Sequence, residues 1–200
     1  MIMKKKILMV LLIIIGIILL NLCRYTRLER KIIFANINHF TDVDFDKVNI
    51  NNDEKNVDIC FKVDHIHITH KIVKDLMNNS KKVVFDNKKY EAYKMTINIL
   101  GAQRIIYAVT IDSNDEVEKV YCSTNVNEKL IPLSTIEKEY PSVKELYLEK
   151  FDYEDYSDLN NYKEFNNLKR VSFSVKPSDE VINYIKEKFP NCELKYDSDD

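Results

Sequence analysis

Three histidines stand close together and have the best spacing in this chain for metal chemistry. They occur in the run Asp64-His65-Ile66-His67-Ile68-Thr69-His70. On an extended strand His65 and His67 project to the same side, and a helix that begins just after them would bring in His70. Imidazole nitrogens are common zinc ligands. The run therefore predicts, as one alternative, a metal site at His65, His67 and His70 and a metal-dependent enzyme built on it.

Other signatures of catalysis are missing from the sequence. No glutamate stands in HExxH spacing to the histidines, and no GxSxG motif presents a nucleophilic serine. The chain holds 2 glycines, too few for a phosphate-binding loop. Close carboxylates such as Asp152, Glu154 and Asp155 are typical of a solvated loop. We therefore expect a protein without enzymatic activity and without a cofactor.

The 4 cysteines are far apart in the sequence, at Cys23, Cys60, Cys122 and Cys192. These separations exclude a CxxC metal knuckle and a dense disulfide scaffold. Three cysteines follow the apolar amino-terminal stretch, so they allow one disulfide at most. The simplest interpretation is that they are small buried hydrophobic residues.

The amino-terminal segment is strongly apolar. Residues Ile7–Leu22 hold no charged side chain, follow Lys4–Lys6 and precede Arg24. A helix from Ile7 to Cys23 would span roughly 25 Å at about 1.5 Å per residue, which is at the short end of what crosses a bilayer. We expect segment 1–23 to be an uncleaved transmembrane anchor that contacts the membrane through Ile7–Leu22.

Two other fates of this segment are open. Cys23 invites lipidation, although a bulky Leu22 precedes it, and signal cleavage would need small residues that the sequence lacks here. Moving the basic amino terminus outward would oppose the membrane potential. The sequence therefore predicts a single-pass protein of the cell membrane, with a juxtamembrane helix over 24–40 and the carboxy-terminal domain outside.

Composition limits the partners and the number of domains. The net charge of -2 argues against a nucleic-acid partner, which requires a concentrated basic face. The excess of lysine over arginine, the abundance of isoleucine and asparagine, and the scarcity of glycine resemble AT-rich coding in a low-GC bacterium. About 175 residues follow the apolar segment, enough for one domain or two small ones.

Residues 41–129 show the period of two that is typical of half-buried strands. We expect strands at 48–50, 57–63, 83–86, 93–100, 104–111 and 117–123. A helix capped by Thr69 is predicted between the second and third of these, ending at Asn78-Asn79. The region is therefore predicted to be an antiparallel sheet with one helix across a face.

Residues 130–200 alternate between helix and strand patterns. Predicted helices follow the capping box Ser134-Thr-Ile-Glu137 and occupy 157–165 and 178–189. Predicted strands occupy 143–151, 168–175 and 192–196, and an acidic tail follows. Taken together, the expected fold class is α+β: an N-terminal transmembrane helix, an antiparallel sheet with one helix, and a C-terminal βαβαβ stack.

This stack resembles the leucine-rich repeat family. The frame LxxLxLxx is matched by Val143-x-x-Leu146-x-Leu148, by Leu168-x-x-Val171-x-Phe173 and by Phe189-x-x-Cys192-x-Leu194. The frames begin 25 and 21 residues apart (143 to 168 to 189), inside the family's range of about 20–29. The resemblance implies parallel strands in register, with a solvent-facing concave surface that binds proteins.

The frame predicts which side chains share that surface. The expected rows are Glu145, Arg170 and Asn191; then Tyr147, Ser172 and Glu193; then Glu149, Ser174 and Lys195. From these rows the predicted binding face is Glu145, Tyr147, Arg170, Ser172, Glu193 and Lys195. The sequence thus favours a membrane-anchored module that binds a protein partner. A membrane-anchored immunity or accessory factor and the histidine-based enzyme are the alternatives.

Overall fold

The computed structural model describes residues 24–39, 43–63, 70–101, 105–123, 142–149, 165, 167–174 and 176–196. Within these residues eight strands form one mixed sheet whose spatial order is the order of the chain. The strands are β1 Asp44–Asn51, β2 Asn56–Lys62, β3 Lys94–Leu100, β4 Ile105–Ile111, β5 Val117–Ser123, β6 Glu145–Glu149, β7 Arg170–Phe173 and β8 Glu193–Tyr196. The helices are α1 Arg27–Ala35, α2 His70–Phe85 and α3 Asp179–Lys188, with a short 3-10 helix at Ile37–His39.

Strand direction changes along the sheet. The pairs β1–β2, β3–β4 and β4–β5 are antiparallel. The pair β2–β3 and the three pairs that join β5 to β8 are parallel. The β1–β2 hairpin closes where the side-chain carbonyl of Asn51 accepts hydrogen bonds from the amides of Asp53 and Glu54, both at 3.1 Å. Parallel neighbours require a crossover, and α2 supplies the one between β2 and β3.

Helices α1 and α2 are fixed to each other by a buried polar contact. The side-chain amide of Asn36, at the end of α1, donates to the Ser80 hydroxyl on α2 and to the Ile32 carbonyl, both at 3.0 Å. Ser80 is completely buried. Helix α1 begins with a capping box, in which the side chains of Thr26 and Glu29 each accept from the other's backbone amide.

One face of the sheet carries the hydrophobic core. Buried helix residues such as Ile32, Leu76 and Val181 pack with the strand residues of that face in a single cluster. Its centre is formed by Ile97 and Val109, which are opposite each other on β3 and β4 and fully buried. In the described part of the chain no helix packs on the opposite face, which we name the open face.

The predicted fold class is wrong. The two expected parts are one sheet, because β5 and β6, on either side of the predicted boundary at 129/130, pair in parallel. The first part is mixed and not antiparallel, since the α2 crossover makes β3 parallel to β2. Three of the four residues of the predicted strand 83–86 belong to α2, which continues through Asn78-Asn79 to Phe85 because its far end is buried at Val84.

The membrane predictions also require correction. Among the described residues there is no helix with the length and apolar character needed to cross a bilayer. This finding contradicts the expected transmembrane helix, the signal-anchor and the single-pass location in the cell membrane. The stretch Ile7–Leu22 that suggested them lies outside the described residues. The helix expected beside the membrane, α1, buries Leu28 and Ile32 in the protein core.

In the carboxy-terminal part, three predicted core residues are confirmed. Leu148, Phe173 and Ile185 are 3%, 4% and 6% exposed. The predicted helix at 178–189 is present as α3, which begins after Ser178. The predicted segments 134–141 and 157–164 lie outside the described residues.

Candidate functional site: the open face of the sheet

The open face is ordered in rows that cross all eight strands. Residues directly opposite each other on paired strands project to the same face. One row consists of Asn49, Asp58, Thr96, Thr110, Lys119, Glu145, Arg170 and Glu193. The neighbouring row consists of Lys47, Cys60, Asn98, Ala108, Tyr121, Tyr147, Ser172 and Lys195. All of these residues except Ala108 have a polar group in the side chain.

Charges of alternating sign occupy the end of these rows at β5–β8. We name the five residues Lys119, Glu145, Arg170, Glu193 and Lys195 the charge ladder. The guanidinium of Arg170 donates to Glu145 Oε1 at 3.0 Å through Nη1 and to Glu193 Oε2 at 2.6 Å through Nε. Lys195 Nζ lies 3.3 Å from the other Glu193 oxygen. Three neighbouring strands are therefore linked by charged side chains on their solvent side.

The ion pairs shift the titration of the two central groups. The hydrogen bond from Arg170, followed by the one from Lys195, lowers the pKa of Glu193. The hydrogen bond to Glu193, with the charge of Glu145, raises the pKa of Arg170. The side chains of Arg170 and Glu193 are 36% and 49% exposed, so water and salt screen these interactions. The contacts orient the side chains more than they stabilise the fold.

Two tyrosines lie beside the ladder. The rings of Tyr121 and Tyr147, on β5 and β6, stack with centroids 5.2 Å apart and planes inclined by 13°. Both side chains are half-buried. Stacking of this kind fixes two large amphipathic side chains on the open face at low entropic cost.

The other half of the open face holds a hydrogen-bonded group that we name the polar cluster: Asn56, Asp58, Thr96, Asn98 and Thr110. The side-chain amide of Asn56 donates to Asp58 Oδ1 at 2.8 Å and to Thr96 Oγ1 at 3.1 Å. The hydroxyls of Thr96 and Thr110 are 3.0 Å apart. Thr96 and Asn98 are only 8% and 7% exposed, since they lie on a central strand with neighbours on both sides.

In the half of the open face that holds the polar cluster, burial is the largest influence on the pKa values of two groups, Asp58 and Cys60. It raises the pKa of Asp58 against the opposing hydrogen bonds from Asn98, Asn56 and Thr96. It also raises the pKa of the Cys60 thiol, which lies in the next row. Cys60 is also only 6% exposed, so it has neither the lowered pKa nor the accessibility that is typical of a nucleophilic cysteine.

The structure gathers all six residues of the predicted binding face on the open side of β6, β7 and β8. Their register differs from the expected rows on the last strand. Arg170 is opposite Glu193, and Ser172 is opposite Lys195, where Asn191 and Glu193 were expected. The shift is two residues, which leaves each side chain on the predicted face. That this face binds a partner stays a prediction.

The predicted metal site cannot be assembled from what the structure describes. His65 and His67 lie outside the described residues, and His70 is the first residue of α2. In the part of the chain that is described, no three His, Cys, Asp or Glu side chains converge as metal ligands. Cys60 and Cys192 are free thiols there. The histidine site stays a prediction.

A surface pocket of about 560 Å³ lies at the other end of the sheet, far from the ladder in strand order. It is bounded by the start of α1, by β1 and by the turn after α2. Charged side chains of both signs line it, including Arg27, Lys31, Asp86 and Lys88. This mixture of charges does not indicate which class of ligand the pocket would bind.

Sequence reasoning missed the polar cluster. Asn56, Asp58, Thr96 and Asn98 occupy the polar positions of alternating strands, where a solvated side chain is the ordinary expectation. The available signal was Asn98 inside Met95-Thr-Ile-Asn-Ile99, because asparagine is disfavoured in strand interiors. Burial at these positions depends on which strands lie on either side, and the local pattern does not contain that information.

Comparison with known proteins adds no assignment, since no family model, curated protein or solved structure matches the chain. The resemblance to leucine-rich repeats stays a prediction. Strands β6, β7 and β8 are parallel and adjacent, as the resemblance implies, but Leu194 lies opposite Val171 where the frame predicts Cys192.

Proposed function

We propose that this protein is a non-enzymatic interaction module that binds a protein partner through the β5–β8 half of the open face. The observation that carries the proposal is the charge ladder, in which Arg170 is held between Glu145 and Glu193 next to stacked tyrosines. The expected contact residues are Glu145, Tyr147, Arg170, Ser172, Glu193 and Lys195.

The chemistry of these side chains supports binding to a protein. Tyrosine and arginine are enriched among the residues that dominate protein interfaces. The ion pairs and the ring stack already restrict these long side chains, so less conformational entropy is lost when a partner docks.

The ladder also defines the chemistry of the partner. A complementary surface would place acidic groups opposite Arg170 and Lys195 and basic groups opposite Glu145. Such alternation discriminates partners, since a surface displaced by one strand would bring like charges together. The proposed partner is therefore a folded protein with charges of both signs on its contact surface.

The test is a comparison of tagged full-length chains purified from the native cells and analysed by quantitative mass spectrometry. The variants are Arg170→Glu and Tyr147→Ala, and the control is Lys82→Glu, which reverses an exposed charge on α2. We expect one protein to be recovered with the wild type and the control but reduced by about tenfold or more with both variants, as for residues at an interface centre.

A purified partner must then show the same ranking of affinities by calorimetry. Unfolding temperatures close to that of the wild type show that the variants are folded. If every co-purifying protein is recovered equally with Arg170→Glu and with Lys82→Glu, the proposed function is wrong. The alternatives, an immunity or accessory factor and an enzyme at His65, His67 and His70, stay predictions.

A further inference from the structure

The sheet ends at β8 with an exposed edge. In the described part of the chain, β7 is the only strand that pairs with β8. The parallel series β5–β8 stops there. Tyr196 is 42% exposed, and Leu194 is only partly buried. A strand with one neighbour offers a row of backbone donors and acceptors for a further strand.

The backbone of β8 defines which residues would pair at this edge. The amide of Glu193 donates to the Lys169 carbonyl at 2.8 Å, so Glu193 directs its backbone groups towards β7. Successive residues of a strand direct these groups to alternate sides. Leu194 therefore presents its amide and its carbonyl to the outside. An added antiparallel strand would exchange two hydrogen bonds with Leu194.

The side chains of β8 are complementary to a second copy of themselves. In a twofold antiparallel pair with Leu194 opposite Leu194 of the second copy, Glu193 lies opposite Lys195 of that copy. By the twofold symmetry, Lys195 of the first copy lies opposite Glu193 of the second. These are pairs without hydrogen bonds between the strands, in which side chains approach most closely. Both opposite-charge contacts stabilise this register.

The two neighbouring registers are disfavoured. A shift by two residues in one direction places Glu193 opposite Glu193, and a shift in the other places Lys195 opposite Lys195. Like charges directly opposite each other destabilise a strand pair. A shift by one residue would place Leu194 of one copy opposite a residue of the other copy whose amide and carbonyl point towards its own β7. The hydrogen bonds between the two β8 strands could then not form. The sequence of β8 thus selects one register out of those that the edge permits.

We infer that two copies of this chain associate through their β8 edges, as an antiparallel twofold pair centred on Leu194 that continues the sheet from one copy into the other. The contact is isologous, with the same four residues on both sides. A strand this short buries little area, so the association is weak and depends on protein concentration. It extends the charge ladder across the twofold axis and does not require the partner proposed above.

The test uses disulfide trapping between two full-length chains that carry different tags. One chain carries Glu193→Cys and the other Lys195→Cys, both in a Cys192→Ser background so that the adjacent native thiol does not compete. The two introduced cysteines should face each other with Cα atoms about 4.5 Å apart, within the range of a disulfide. We expect the mixture to give about tenfold more cross-linked dimer than either chain alone.

The single chains are the matched controls, because two copies of the same substitution are displaced along the strands and cannot bridge. Equal cross-linking in the mixture and in the single chains would show random collision and would overturn the inferred register. Absence of cross-linked dimer in all three samples would overturn the association itself.

A second measurement avoids introduced cysteines. Light scattering of the full-length chain should show an average mass that rises with concentration up to about 1 mM. Lys195→Glu, which places Glu193 opposite a carboxylate of the second copy, should abolish the rise. Lys186→Glu, the same charge reversal on exposed α3, should leave it unchanged. A wild type of constant monomer mass, or equal effects of the two variants, contradicts the proposal. Partner binding is read with Arg170→Glu, so the two proposals can fail separately.

Discussion

The polar cluster and the charge ladder lie on the same face of the sheet, yet they are held by different interactions. In the cluster, Asp58 is half-buried between neighbouring strands and is held by amides and hydroxyls. In the ladder, Glu193 is exposed and Arg170 is partly exposed, and the two side chains are held by opposite charge. Thr96 and Asn98 of the cluster are nearly fully buried, and uncharged groups occupy these two positions because a buried charge is costly. Where water has access, charges are inexpensive and contribute little stability.

The largest loss of stability is expected from a substitution in the hydrophobic core beneath the charge ladder. Phe173→Ala should lower the free energy of unfolding by about 3–5 kcal/mol, since it leaves a cavity under β7. Tyr147→Ala, on the open side of the neighbouring strand, should cost about 0.5–1.5 kcal/mol from the lost ring stack. Urea unfolding measures both. A larger loss for Tyr147→Ala would mean that the face assignment is inverted.

The next prediction compares the two halves of the open face by removing one hydroxyl group from each and measuring the loss of stability. Thr96→Val preserves shape but deprives Asn56 and Thr110 of a buried partner, so we expect a loss of about 1–3 kcal/mol. Ser172→Ala, at a half-buried position of β7, should stay within about 0.5 kcal/mol of the wild type. Equal losses in urea unfolding would show that the two halves do not differ in burial.

The two halves should respond to pH with opposite sign. The pKa of Asp58 is raised in the folded state, so the folded state binds the proton more tightly and stability falls as the pH rises from the ordinary value through the raised one. The pKa of Glu193 is lowered, so its contribution is present above the ordinary value and is lost as the pH falls through the lowered one.

Thermal unfolding between pH 2 and pH 8, roughly the range in which carboxylates titrate, tests this pair. Asp58→Asn should be more stable than the wild type at neutral pH, and the advantage should vanish in acid. Glu193→Gln should be slightly less stable at neutral pH, and the deficit should vanish in acid. Parallel profiles for the two variants would refute the distinction.

The smallest effect concerns the ladder alone. Arg170→Ala should change the free energy of unfolding by less than about 1 kcal/mol, because its ion pairs are exposed. The difference from the wild type should disappear near 1 M salt, where the screening length is about 3 Å. A large loss that persists at high salt would mean that the ladder supports the fold directly.

Local patterns in the sequence predicted much of this architecture. The period of two located β2, β3, β4 and β5 to within about two residues, and the repeat frame placed six side chains on the correct face of the C-terminal strands. The face to which a side chain projects alternates from residue to residue along a strand. A register error of two residues on β8 therefore leaves every side chain on the predicted face. The register itself depends on packing between strands, and there Leu194 took the inward position that Cys192 was expected to fill.

The remaining errors come from interactions between distant parts of the chain. Helix α2 continues past Asn78-Asn79, where Asn36 donates to the Ser80 hydroxyl from 44 residues away, and on to Val84, which is buried in the core. The direction of β3 is decided by the crossover of α2. The polar cluster exists because three strands from separate stretches place Asn56, Thr96 and Thr110 side by side. None of these contacts has a signature within a short window of sequence.

The order of the strands has a consequence for how the chain folds. Because the eight strands are arranged in chain order, each pairs with the strand that precedes it in synthesis. Strands β1 and β2 are synthesised before the other six, and each later strand emerges after the strand with which it pairs. Strand β8 is therefore the last of the eight to be synthesised, and β7, its pairing neighbour, is already present when it emerges.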